Sequence, residues 1–266
     1  MPFATSRQVR IYYEVRGPQG APPIVLIRGL ARSSRYWLDF LPRMARAFRV
    51  ITLDNRGVGR SDAPKSPFST RAMADDVAAV MDHAQVSRAH IFGMSLGGMI
   101  SMRFALRHPD RVNKLVLGCT TMGGRRAIRT PLSSVRTLLL AGRLSFADAM
   151  VATANIVLSD NFISERPDIL NAWRAIAISE PVPTFASALQ LIAAAEHDVS
   201  NDLRDLRVPT LVITGDADRL ISWENSRLIA SEIPDAQLRI VPGAGHDFTT
   251  EQPELVAGVL ERFLLA

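Results

Sequence analysis

"HIFGMSLGGMISMRFALRHPDRV", residues 90–112, opens on an apolar run, turns at a serine set between glycines, and continues with apolar residues at helical spacing. Gly93-Met94-Ser95-Leu96-Gly97 fits the pattern G-x-S-x-G, and the strand before it and helix after it are the flanks that give the pattern meaning. Glycines on either side of the serine allow a sharp turn, so Ser95 Oγ is expected to stand exposed at the top of a sheet beside a helix N-terminus. The dipole and free N–H groups there favour the negative charge that forms when an acyl carbonyl is attacked. A plain glycine-rich turn whose serine only caps the helix is the structural alternative.

Working outward, short apolar runs recur at residues 24–27, 49–53, 90–93, 114–118, 210–215 and 237–241, preceded by an early strand at 9–15. From residue 24 most are continuous rather than alternating, as strands buried on both faces of a parallel sheet are. Helical segments near 36–47, 70–85, 96–108, 222–232 and 252–264 lie between or after them. The order predicts an α/β fold, a mostly parallel central sheet flanked by helices. The rhythm stops after residue 120 and resumes at about 209. The intervening stretch shows helical spacing and no strand, and it is too long for a plain loop. Residues 1–120 and 209–266 are therefore expected to form the core and residues 121–208 an inserted helical cap.

A serine hydroxyl is a weak nucleophile without a base, and the base needs a third group to orient it. An acid and a histidine should therefore follow two late strands. "TLVITGDADRLIS" (210–222) places Asp216 and Asp218 beyond a strand, and "LRIVPGAGHDF" (238–248) places His246 in a loop after the next. Asp218 lies deeper in its loop, where it can reach an imidazole entering from the neighbouring one; Asp216, next to Gly215, suits a turn-stabilising role. His83, His90, His108 and His197 sit at helix ends, a strand start or in the cap, and carry surface or capping readings.

Composition narrows the function classes. The chain has 266 residues, 47% of them hydrophobic and 21% charged, enough to bury a sizeable core. Its net charge of +5 comes almost wholly from arginine, since Lys65 and Lys114 are the only lysines. The arginines are scattered among acids rather than clustered, so nucleic-acid binding is not expected. A single cysteine, Cys119 in "KLVLGCTT", excludes an intramolecular disulfide and a cysteine-rich metal site, and its apolar surroundings suit a core position. The N-terminus lacks the apolar stretch of a secretory signal and no run approaches a membrane span, so a soluble, cytoplasmic protein is expected.

Together "LIRGL…RYW", "DNRGVGRSD", "GMSLGG", "HPDRVNKLVL", "GDADRLIS" and "PGAGH" make essentially the whole chain resemble the α/β-hydrolase superfamily, in particular its capped esterases, enol-lactonases and cofactor-free haloperoxidases. The resemblance implies Ser95, Asp218 and His246 as catalytic residues, with the family's acid aligning on Asp218. It also implies the backbone N–H groups of Leu30 and Leu96 as the oxyanion hole, and no metal or organic cofactor. The activity implied is hydrolysis of carboxylic esters or lactones of small to medium, largely apolar substrates through an acyl-enzyme. A serine nucleophile argues against dehalogenase and epoxide hydrolase chemistry, which need an attacking carboxylate. A haloperoxidase or perhydrolase on the same residues is the alternative, and a non-catalytic small-molecule receptor a further one; homo-oligomer formation stays open.

One position departs from the family. Its first core strand usually ends in His-Gly, whereas this chain has Arg28-Gly29. Arg28 either replaces the histidine by hydrogen bonding to backbone or to an acid such as Asp54, or reaches the acyl pocket and pairs with an anionic substrate group. With Arg28, residues Met94, Thr120 and Met122 are expected to face that pocket.

Overall fold

The computed structural model describes residues 2–266. Each strand expected from the sequence is present in an eight-stranded sheet: β1 (Phe3–Ser6), β2 (Val9–Arg16), β3 (Pro23–Ile27), β4 (Arg49–Leu53), β5 (Ala89–Met94), β6 (Val112–Gly118), β7 (Thr210–Gly215) and β8 (Gln237–Val241). The order is β1-β2-β4-β3-β5-β6-β7-β8. Strands β1 and β2 are antiparallel to their neighbours and the rest are parallel.

The continuous apolar runs have the cause the sequence suggests, because both sheet faces are covered. Along β3, Ile24 and Leu26 pack into one cluster with Phe40, Met44, Phe92, Val116 and Leu260, while Val25 and Ile27 pack into the other with Val77, Ile91, Ile100 and Leu117. The first cluster is closed by α1 (Phe40–Ala47) and by the C-terminal helix Pro253–Leu265; the second by α2 (Thr70–His83) and α3 (Leu96–Arg107). The periodicity near 36–47 covers two elements, a single 3-10 turn at Ser34–Trp37 and then α1. β8 is different. Gln237, Leu238 and Arg239 are exposed because it forms the sheet edge.

β1 was not expected from the sequence. It pairs with β2 through a turn in which Arg7 (φ 47°) and Gln8 (φ 76°) both take left-handed backbone, a conformation usually signalled by Asn or Gly. Two histidines also differ from their surface readings. His90 and His197 are buried, and burial, helped by nearby cations, lowers them to about 4 and about 3. His197 Nδ1 lies 3.1 Å from Thr70 Oγ1.

Between β6 and β7 the chain forms α4 (Leu132–Ala141), α5 (Phe146–Ala152), α6 (Ala154–Val157), α7 (Asp160–Glu165), α8 (Pro167–Ser179) and α9 (Thr184–Ala195). No strand of the sheet comes from this insert. Its entry and exit are pinned together, with Gly123 bridging Asp198 and Val199 N–H donating to Met122 O at 2.9 Å. Met150, Ile156, Leu158, Trp173 and Ile176 give it an apolar cluster that also buries Tyr36. After β7 follow α10 (Glu224–Glu232), α11 (Phe248–Glu251) and α12 (Pro253–Leu265). No single described helix is long and apolar enough to cross a membrane.

The loop after β4 is tied to α2 by a buried pair. Arg56 Nε and Nη2 donate to the two Asp76 carboxylate oxygens at 2.7 and 2.6 Å, and both side chains are almost fully buried. Removing one partner leaves an uncompensated buried charge, so Asp76→Ala is expected to cost about 3–5 kcal/mol. In thermal denaturation that corresponds to a Tm lower by roughly 10 °C. The double variant Arg56→Met/Asp76→Leu should recover most of it.

Candidate active site

Three loops at the C-terminal edge of the parallel strands converge on one place. The first follows β5, where Ser95 takes φ 56° and ψ −121°, a strained backbone for a non-glycine residue. Close packing imposes it. A Cβ on Gly93 would collide with Gly97 O and Ser101 Oγ, and one on Gly97 with Ile27 O, so α3 sits hard against β3 and β5. Ser95 N–H donates to Gly118 O and the Thr120 hydroxyl to Ser95 O, both at 2.8 Å, which holds the turn from the β6 side.

The second loop follows β7. Asp218 Oδ1 accepts from Leu220 and Ile221 N–H at 2.8 and 2.9 Å, leaving Oδ2 to meet His246 Nδ1 at 2.7 Å. A carboxylate only accepts, so Nδ1 carries the proton and Nε2 is the basic atom. Asp216 has the turn role expected of it and accepts from Gly243 N–H at 2.7 Å. Burial acts to lower His246, but the charge and hydrogen bond of Asp218 outweigh it and hold the imidazole well above its ordinary value. The third loop, after β8, carries His246 and is fastened by Glu251, which accepts from Gly245 N–H at 2.9 Å and from both Ser159 N–H and Oγ.

Ser95 and His246 line the same cavity, of about 260 Å³, without a direct hydrogen bond between them. Cys119 Sγ lies 3.9 Å from His246 Nε2. Burial raises this thiol, so it stays protonated, and its core placement is as expected. Although Cys119, Asp218 and His246 offer ligand atoms within 4.8 Å, the protonated thiol and an Nδ1 committed to Asp218 make a poor metal donor set.

The Leu96 N–H is the first of α3 and has no acceptor within the helix. Leu30 follows Gly29, where an added Cβ would come within 3.0 Å of the Ser95 side chain. Leu30 N–H has no acceptor among the described residues, while the next amide, Ala31, donates to Gln190 Oε1 at 2.9 Å. Gln190, fully buried on α9, also donates to Arg56 O, so the insert holds the loop after β3 in place.

Arg28 does not pair with Asp54, which instead accepts from Ser34 N–H and from Arg60. Its partner is Asp247, reached in a two-pronged contact at 2.7 and 3.3 Å, and its guanidinium lies 4.7 Å from the Trp37 ring centroid. Burial would raise the Asp247 carboxyl, but Arg28, aided by Arg32 and the Thr249 hydroxyl, reverses that and holds it at about 2. Both side chains are buried, so Arg28 touches the cavity with its charge already matched.

Of the residues expected at the pocket, Arg28 and Met94 line the cavity, and Thr120 and Met122 do not. Thr120 is behind the turn, filling the space beside Gly98, and Met122 is packed into the core next to the sheet. The wall comes instead from the insert, with Leu138, Leu144, Phe146, Met150 and Val157. Asp247, Glu251, Gln190 and Arg32 were missed from sequence. Only Asp247, adjoining His246 in a chain with arginine at position 28, carried a local signal.

Comparison with known proteins identifies the fold family. Residues 22–253 match the alpha/beta hydrolase fold family. The "Putative carbamate hydrolase RutD" of Caulobacter sp. (strain K31) is 30% identical over 263 residues, covering 96% of this chain and 95% of the relative. The enol-lactonase of Burkholderia xenovorans LB400 superposes with a TM-score of 0.88 at 25% identity, over 100% of both chains. A thermophilic esterase from Thermogutta terrifontis gives 0.84 at 25% identity, over 99% of this chain and 97% of that one. The sheet order, the serine turn between β5 and α3 and a family match over most of its length agree, and the chain belongs to the α/β-hydrolase fold family, as a hydrolase.

Proposed function

We propose that the chain is a serine hydrolase that cleaves carboxylic esters or lactones of small to medium, largely apolar substrates through Ser95, His246 and Asp218. The observation that carries this reading is the 2.7 Å contact of Asp218 with His246 Nδ1, which leaves Nε2 basic in the cavity that Ser95 also faces. The esterase and enol-lactonase neighbours and the apolar wall of the cavity support it.

In the proposed reaction, His246 Nε2 takes the proton from Ser95 Oγ as the oxygen attacks the substrate carbonyl. The oxyanion accepts hydrogen bonds from the free N–H groups of Leu30 and Leu96. Neither donor depends on side-chain identity, so arginine at position 28 is compatible with the chemistry. As the tetrahedral adduct collapses, His246 gives its proton to the leaving alkoxide oxygen. A water then loses a proton to His246, attacks the acyl-enzyme, and Ser95 recovers its proton when the acid departs. The insert acts as a cap that keeps the site dry and fixes the donor loop through Gln190.

A carbamate is the second reading, favoured by the relative that bears that name. Its carbonyl is attacked in the same way but is less electrophilic, because nitrogen donates into it. Rates on matched methyl esters and methyl carbamates separate the two.

On a panel of p-nitrophenyl esters and lactones, Ser95→Ala should lower kcat by at least about 10³-fold on every substrate. Retained turnover would exclude Ser95 as nucleophile. A fluorophosphonate should label Ser95 and leave the variant unlabelled.

The pH profile offers a second check. The base must be neutral, so kcat/KM should rise with pH through an apparent pKa above the ordinary imidazole value. Asp218→Asn removes the main charge that opposes burial. Its acid limb should therefore move to lower pH while kcat falls by about 10⁴-fold.

A further inference from the structure

The cavity holds two arginines and one carboxylate beside the Ser95 turn. Arg28 and Asp247 are committed to each other. Asp247 has little left to offer, since Oδ1 also accepts from the Thr249 hydroxyl at 2.9 Å. Arg32 is the remainder. Its residue is only 8% exposed, its side chain donates no hydrogen bond to any described residue, and its Nη1 is buried without a partner. The guanidinium is held by aromatic rings, 3.9 Å from the centroid of Trp173 and 4.8 Å from that of Tyr36. Those contacts fix its position and leave its N–H donors unused. Burial lowers it to about 10, so it is still a cation at neutral pH.

We infer that Arg32 is the specificity residue of the cavity and that the substrate carries a carboxylate, placed on Arg32 while its ester or lactone carbonyl faces Ser95. This rests on the hydrolase reading and narrows it. A neutral acceptor would meet hydrogen-bonding demand but leave one of the two guanidinium charges around Asp247 unmatched, whereas a carboxylate meets both needs and fits the guanidinium fork. The apolar wall of Leu138, Leu144, Phe146, Met150 and Val157 suits a hydrocarbon segment joining the two ends. Anionic recognition, open for Arg28 on sequence alone, moves to Arg32 because only Arg32 lacks a partner.

The test compares monomethyl esters of straight-chain C4 to C8 dicarboxylic acids with the corresponding dimethyl esters, which match in shape and lack the charge. Wild type should show a higher kcat/KM on the charged member, with the preference peaking at one chain length. Arg32→Gln should lower the charged-to-neutral ratio by at least about tenfold, as loss of a hydrogen-bonded ion pair does. Arg32→Lys, which keeps the charge and loses the fork, should restore part of the ratio. In parallel, calorimetry on Ser95→Ala should detect binding of the half-ester at the preferred length, and Arg32→Gln in that background should abolish it.

An unchanged ratio in a folded Arg32→Gln variant, with turnover still dependent on Ser95, would overturn the inference and leave the hydrolase standing. If Arg32→Gln does not fold, the wild-type series decides, and no preference for charge at any length counts against Arg32. If wild type turns over neither ester, or Ser95→Ala retains turnover, the hydrolase reading fails instead. The calorimetric comparison then still decides whether Arg32 binds a carboxylate.

Discussion

The backbone turn at Ser95 is the constraint around which the rest of the site is arranged. A left-handed, strained residue persists only where its surroundings over-determine it. Here they do so from three sides: α3 pressed against β3 and β5 through Gly93 and Gly97, the Gly118 carbonyl receiving the serine amide, and the Thr120 hydroxyl holding its carbonyl. One turn thereby lifts the serine oxygen clear of the sheet and aims the Leu96 amide at the same space. Parallel strands do the remainder, since β5, β7 and β8 all end at one edge and deliver their loops side by side.

Around that turn the interior is organised by charge in a dry setting. Burial alone would push His246 down and Asp247 up, and in each case neighbouring charges and hydrogen bonds, led by Asp218 and by Arg28, reverse the direction. The Asp218 carboxylate is positioned directly by two amides of its own loop. The loop after β3 is the opposite case: α9 fixes it through Gln190. In the proposed reaction the acid is thus set by its own loop, whereas the base loop is braced against Ser159 and Val157 of the insert and one oxyanion donor against α9.

Much of this was legible in the sequence because it is local. Runs such as residues 24–27 and 210–215 reveal strands covered on both faces, and the glycines around Ser95 reveal the turn. Loop depth separated Asp218 from Asp216. What depends on distant partners was not legible. Nothing near Arg28 names Asp247, 219 residues on, and nothing near Ala31 names Gln190. Thr120 and Met122 were placed at the pocket by nearness in the chain, but Thr120 turns behind the serine and Met122 into the core. His197 reads as a polar cap residue until its burial against Thr70 is seen. The hairpin of β1 and β2 was hidden because Arg7 and Gln8 are unusual residues for left-handed turn positions.

The buried pair of Arg28 and Asp247 also bears on how such a chain can evolve. Replacing either residue alone strands a charge in the interior at a cost of about 3–5 kcal/mol, a large fraction of the stability of an ordinary domain. Positions 28 and 247 are therefore under pressure to change together, or through a neutral intermediate at both. A lineage that exchanges histidine for arginine at the end of β3 must acquire its acid beside the histidine loop at nearly the same time. The two positions form a single heritable unit although almost the whole chain separates them.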